Sequence, residues 1–253
     1  MMMRRILIVG LTAALALSAC QKAGDGQSNA GARDGGVAAA PAPASSAPLT
    51  AAEAFRLAFG KAAPATRTVP RGEPGNEETL TYTPAKLVPV GDVMALVSTA
   101  TNSSDCHACS GALAIHYFRR EGSGWKLAGS WPEILGGNGF GAPPEWRIRT
   151  DLGRPAYLVS ETGWSGQGYT CASTDLVELT PEAPLVQATA IPMHYDNAGV
   201  GTTPVINIDG KLDRGPDGKL RVTFTGSKTG FVDYALVGGK FTRVSPADLI
   251  NDC

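Results

Sequence analysis

The sequence predicts a mainly β fold with short terminal helices, built from tandem four-stranded antiparallel meanders packed as propeller-like or sandwich-like sheets. Three observations carry that expectation. Runs rich in β-branched and aromatic residues, such as VMALVSTATN at 93–102 and LRVTFTG at 220–226, recur between clusters of Gly, Ser, Asn and Asp. Glycine and proline supply 49 of the 253 residues, against a usual share of about 12%, so turns must be frequent. The chain also aligns on itself at a shift of 62, which sets Leu96-Val97-Ser98 over Leu158-Val159-Ser160 and Cys109 over Cys171.

The N-terminus follows a different logic. Arg4 and Arg5 precede an apolar run from Ile6 to Leu17, and small residues lead to Cys20. This is the pattern of a secretory signal. The run is shorter than the roughly 20 residues a spanning helix requires. Leu17-Ser18-Ala19-Cys20 matches a lipobox residue for residue, and here the chain resembles a bacterial lipoprotein precursor. That resemblance implies a signal peptide over 1–19, cleavage before Cys20, and acylation of its thiol and freed amine. Several acyl chains hold far more firmly than one myristoyl group. Gln21 stands where many inner-membrane lipoproteins carry Asp, so the resemblance favours the outer membrane, with the domain facing the periplasm or the surface.

From residue 21 to 49, 20 of 29 residues are Ala, Gly, Pro or Ser and none is aromatic. Such a segment buries too little apolar surface to offset the entropy of ordering. Residues 20–49 therefore form the lipidated cysteine and a flexible linker, with ends roughly 30 Å apart as a random coil. The remaining chain, 50–253, is long enough for one sizeable core. Without the signal's two arginines, 20 basic residues face 23 acidic ones. That balance offers no basic patch for nucleic acid, so the expected partners are the membrane, through the anchor, and an unidentified envelope protein or ligand.

The folded part opens with LTAAEAFRLAFG, where Thr50 caps a helix, Glu53 completes a capping box and Gly60 ends it. A second short helix is expected from Ser245 to the C-terminus, with Pro246 in its first turn. Strand-like runs fill the interval: VMALVSTATN, ALAIHYF and WKLAGSW, then WRIRT, AYLVSE, TDLVELT and LVQATAI, then PVINID, LRVTFTG, FVDYALV and KFTRVS. They group into possible repeat units near 80–131, 143–192 and 203–245. In WKLAGSW, alternation places Trp125, Leu127 and Trp131 on one strand face.

Four cysteines remain once Cys20 is set aside, an even number in an oxidising compartment. The favoured pairing joins Cys106 to Cys109 across a loop and Cys171 to Cys253, fastening the last helix. The second bridge would constrain the unfolded chain by roughly 4 kcal/mol. Cys106-His107-Ala108-Cys109 also invites three chemistries. Covalent haem attachment needs His directly after the second cysteine, where Ser110 stands. A thiol oxidoreductase would gain from His107 beside the attacking thiol, yet needs a helix after the motif, whereas SGALAIHYF alternates as a strand. A metal site could draw on Cys106, His107, Cys109 and Cys171, with His194 as a reserve, but no second Cys-X-X-Cys is present. No metal and no cofactor is therefore assigned, and Cys106, His107 and Cys109 stay as weak metal candidates.

Other motifs have plainer readings. GWSGQG departs from the nucleophile elbow at Gln167 and reads as a hairpin around Ser165. GGNGFGAPPEW has alternating glycines without a following Lys, and its Pro143-Pro144 fits a turn. DRGPDGK places Asp213 and Asp217 as in a calcium loop, but Phe224 falls where the twelfth ligand belongs. Trp164 and Tyr169 flank a Gly-rich loop and form a possible binding loop, since aromatic side chains there act as contact anchors. No catalytic constellation is legible, so whether the chain is an enzyme stays open, with a non-enzymatic binding or structural role favoured. The alternative is a thiol-redox or metal-handling lipoprotein using the Cys106/Cys109 motif.

Overall fold

A computed structural model describes residues 47–71, 77–104, 106–201, 203–244 and 250. Cys20, the signal and most of the linker, Cys253 and the closing helix expected from Ser245 lie outside the described residues. Helix α1 spans Ala51–Phe59, with Glu53 N–H donating to Thr50 Oγ1 at 3.2 Å and Gly60 taking the left-handed cap at φ 72°. Thr50 caps the start and Gly60 the end, as the N-cap and C-cap patterns require.

The rest is antiparallel sheet. Strands β1 (Ala65–Pro70), β2 (Glu77–Val90), β3 (Val93–Asn102), β4 (Ala112–Glu121) and β5 (Gly124–Gly136) form a five-stranded meander. Strands β6 (Glu145–Arg149), β7 (Tyr157–Gly166), β8 (Tyr169–Leu179), β9 (Pro184–Asp196), β10 (Asn207–Arg214), β11 (Leu220–Gly226), β12 (Gly230–Val237) and β13 (Lys240–Arg243) form an eight-stranded one. Every neighbour in each sheet is consecutive in the chain. The larger sheet is pinched at its centre: β9 and β10 pair over only Asn207–Asp209 against Asp196–His194.

Three apolar layers hold the sheets. Phe55 and Ala54 of α1 pack with Leu80, Tyr82, Leu96 and Phe118 on one face of the five-stranded sheet. Its other face places Val97, Ile115 and Tyr117 against Leu158 and Val177 of the larger sheet. Across β7 and β8, Val159 and Leu176 pack instead with Leu212, Val222 and Val232 of the last four strands. The aligned triplets therefore occupy successive layers in one direction. Leu96 faces α1 and Val97 faces forward; Leu158 faces back toward Val97 and Val159 faces forward again. Ser98 and Ser160, the third members, are both fully buried.

Two expectations change here. Trp125 and Leu127 pack on the helix side, but Trp131 packs between the sheets. A β-bulge is the cause. Phe118 pairs Leu127 while Tyr117 pairs Gly129, so Ala128 is an extra residue that reverses the faces beyond it. The second concerns Cys171, which aligns with a loop cysteine yet lies inside β8, opposite Trp164.

Candidate binding cleft

The bond expected between Cys106 and Cys109 is present, with Cα atoms 5.1 Å apart, inside the range disulfides require. Cys106 is exposed and Cys109 buried. Strand β4 comes directly after the loop, as the alternation of SGALAIHYF requires. Cys171 is also disulfide-bonded; Cys253, the partner expected for it, lies outside the described residues.

The disulfide loop rests on the glycine-rich connection between β5 and β6. Cys106 C=O accepts from Phe140 N–H at 3.2 Å, Cys109 C=O from Gly141 N–H at 2.8 Å, and Ala142 C=O from Gly111 N–H at 3.0 Å. Such backbone contact leaves no room for side chains. A Cβ at Gly139 would lie 2.4 Å from His107 O, and one at Gly141, where φ is +74°, would lie 2.5 Å from Asn102 O. The alternating glycines of GGNGFG thus serve loop-to-loop packing rather than a phosphate. Asn102 ties the base: its Nδ2 donates to Glu78 Oε2 at 2.7 Å and its Oδ1 accepts from Ser104 N–H at 3.0 Å.

The β7–β8 hairpin forms the facing wall. Gln167 and Gly168 both have positive φ, 54° and 86°, the two-residue turn that matches strand twist. Pairing runs to Gly166 and Tyr169 at the tip, so Trp164 and Ser165 belong to the ladder and not to an open loop. Ser165 Oγ donates to Thr170 Oγ1 at 3.3 Å across the strands. Trp164 is 44% exposed, and its indole lies across Gly166, where a Cβ would meet the ring at 2.7 Å. Tyr169 turns away, packing on the core beside Tyr195 with ring centroids 6.1 Å apart. The two expected anchors therefore divide: Trp164 lines the cleft and Tyr169 supports the hairpin behind it.

Between these walls lies a cleft of about 500 Å³. His107, Asn138, Gly163 and Trp164 line both this space and an adjoining recess that reaches Phe140. Asn138 Oδ1 accepts from Gly163 N–H at 2.8 Å, joining the walls. His107 meets Phe140 edge-on at 5.0 Å, and Phe140 is 65% exposed. Neither Asn138 nor Phe140 carries a motif of its own in the sequence, although both sit in its glycine-rich run.

The remaining candidates have local partners. His194 Nδ1 lies 2.8 Å from Asp209 Oδ1. Asp213 pairs with Lys211 at 2.9 Å, and Asp217 occupies a one-turn 3-10 helix at φ 54°. Among the described residues, no three His, Cys, Asp or Glu side chains converge as a metal site, and no helix is long and apolar enough to cross a membrane. No family model, no curated protein and no solved structure matches this chain.

Proposed function

We propose that the chain is a membrane-anchored envelope lipoprotein whose β-domain is non-enzymatic and binds a ligand or partner in the cleft between the disulfide loop and the β7–β8 hairpin. The observation that carries the reading is Trp164, large, apolar and exposed at the mouth of a cleft about 500 Å³ in volume. Small-molecule sites fall at about 300–1,000 Å³ and pair apolar surface with a few placed polar groups. Exposed tryptophans at such places dominate binding energy. Both walls are braced, one by the disulfide and its backbone bonds, the other by a tight hairpin. A braced site loses little entropy when it fills.

The test uses the four tryptophan indole N–H signals of isotopically labelled protein, with Trp164 assigned from Trp164→Phe. Sugars, peptides and nucleotides are titrated in turn. At least one class is expected to move the Trp164 signal saturably while the Trp131 signal, between the sheets, stays fixed. A Trp164 signal unmoved by every class overturns the reading. The anchor is tested separately. Cys20→Ala is expected to shift the protein from the membrane fraction to the soluble periplasm, and continued membrane association of the variant overturns lipidation at Cys20.

A second reading, thiol-disulfide exchange, draws on one asymmetry: Cys106 is exposed and Cys109 buried, so an incoming thiolate could reach the first sulfur. The binding reading expects the Cys106–Cys109 bond to resist a glutathione buffer, as structural disulfides of exported proteins do. Quantifying free thiols after equilibration separates the two. Ready reduction of that bond supports exchange; persistence supports a structural brace.

A further inference from the structure

Resting on the binding reading above, we infer that the cleft takes a neutral oligosaccharide. Charge is the first argument. Among the described residues, no Asp, Glu, Lys or Arg lines the cleft or its recess. An acidic or basic ligand would surrender hydration there without gaining a counter-charge, a cost that shape complementarity does not recover. A ligand without formal charge avoids that cost.

The second argument is the kind of polar group present. Hydroxyls, one amide and the His107 imidazole are spread along the walls. Thr162 Oγ1 and Ser173 Oγ, on the same face of the hairpin as Trp164, are hydrogen-bonded at 3.2 Å. The pair retains a hydroxyl hydrogen and lone pairs for a further partner. Asn138 uses Oδ1 on Gly163, which leaves its NH2 group to donate. Mixed donors and acceptors of this kind match the hydroxyls of a sugar, each of which also does both. A purely apolar ligand would bury them with this remaining hydrogen-bonding capacity unmet.

Aromatic surface is the third argument. A pyranose presents an apolar C–H face that lies flat on a ring, and the site offers Trp164 at one wall and Phe140 at the other. Trp164 is held in place because Gly166 carries no side chain to lift the indole from the strand. Platform and hydrogen-bonding groups are thus fixed before a ligand arrives. The cleft also continues into the adjoining recess, with which it shares His107, Asn138 and Trp164, and this extent suits a chain of sugars better than a single one.

The experiment titrates labelled, purified protein with two neutral probes, an N-acetylglucosamine tetramer and maltotetraose. An acidic galacturonate tetramer, a basic glucosamine tetramer and tetra-alanine are run alongside. The inference expects a neutral sugar to shift the Trp164 indole signal saturably, and titration calorimetry on wild type and variants to show Trp164→Ala weakening binding at least about tenfold and Trp164→Phe weakening it less. Trp164 is exposed, so the alanine variant should keep the wild-type unfolding midpoint, and that midpoint is measured. If the acidic, basic or peptide probe moves Trp164 and neither neutral sugar does, the sugar inference falls while the binding reading stands. If no probe moves it, the sugar inference falls, and the binding reading falls with it once nucleotides also leave the signal unmoved.

Discussion

Lowering the pH from 7 to 4 is expected to cost this fold about 3 kcal/mol through one side chain, His116. His116 lies on β4 under α1, fully buried, with the Phe59 ring 4.9 Å away and neither ring nitrogen hydrogen-bonded. Burial, with the positive charge of Arg67 as a lesser cause, pushes its pKa down from 6.5 to about 4. In the unfolded chain the imidazole takes up its proton near pH 6.5. In the folded protein it stays neutral to about pH 4. The contribution is therefore full above 6.5, declines as the pH falls, and is gone once the folded group protonates near 4. Asp175 and Glu178 work against this trend, since burial raises both. His116→Leu fills the same space without titrating, and it removes two unsatisfied nitrogens, so it should not destabilise the protein at pH 7. Urea unfolding at pH 7 and pH 4 gives the test: the wild type should lose far more stability than the leucine variant, and parallel losses in the two proteins would exclude His116 as the cause.

His116 also shows what a single sequence conceals. The alternation of ALAIHYF marks β4 as the strand it is, but a histidine in such a run gives no sign of which face it occupies or what covers it. Strands from β3 onward are legible because β-branched and aromatic residues alternate between turn signals. Strand β1, Ala65–Pro70, is not, because ATRTVP has a mostly exposed, polar face and ends in proline, as an edge strand can. Strict alternation puts Trp131 on the wrong face, since one unpaired residue, Ala128, is invisible to a period-two pattern. The layered arrangement is partly readable: the repeated Leu-Val-Ser triplets do occupy matching places in successive layers, but nothing in them indicates that the second and third meanders join edge to edge.

The cleft is the part least visible in the sequence. Its elements all stand out there, namely the disulfide, the glycine run and Trp164, yet each taken alone has a bland explanation. They lie 58 residues apart at the extremes, from Cys106 to Trp164, and periodicity says nothing about which loops meet. One signal is present. Glycines at 137, 139 and 141 lie outside any strand, and three in alternation permit a close backbone approach, here by Gly111, His107 and Asn102 in turn.

That contact sets the second large expectation: Gly111→Ala should destabilise the protein by about 3 kcal/mol and erase the cleft. Gly111 lies at the foot of β4, where its N–H donates to Ala142 O and its C=O accepts from Gly137 N–H at 2.8 Å. An added Cβ would stand 2.3 Å from Ala100 O, 2.6 Å from Pro143 N and 2.7 Å from Ala142 C. All three are backbone atoms in hydrogen-bonded segments, so no side chain can rotate aside. The loop 137–142 has to move, and it carries Asn138 and Phe140 with it, breaking the bond from Gly163 that joins the walls. Gly124→Ala is the matched control: it lies at the start of β5, and an added Cβ there meets nothing nearer than Glu121 O at 3.9 Å. It should change stability by less than about 0.5 kcal/mol. Urea midpoints and the Trp164 indole signal are measured for both. The Gly111 variant should lose stability and shift that signal in the absence of any ligand, while the Gly124 variant should do neither. Indistinguishable behaviour of the two would mean that the disulfide loop and the glycine run are not clamped together, and that the cleft they form with the hairpin is not a built feature of the fold.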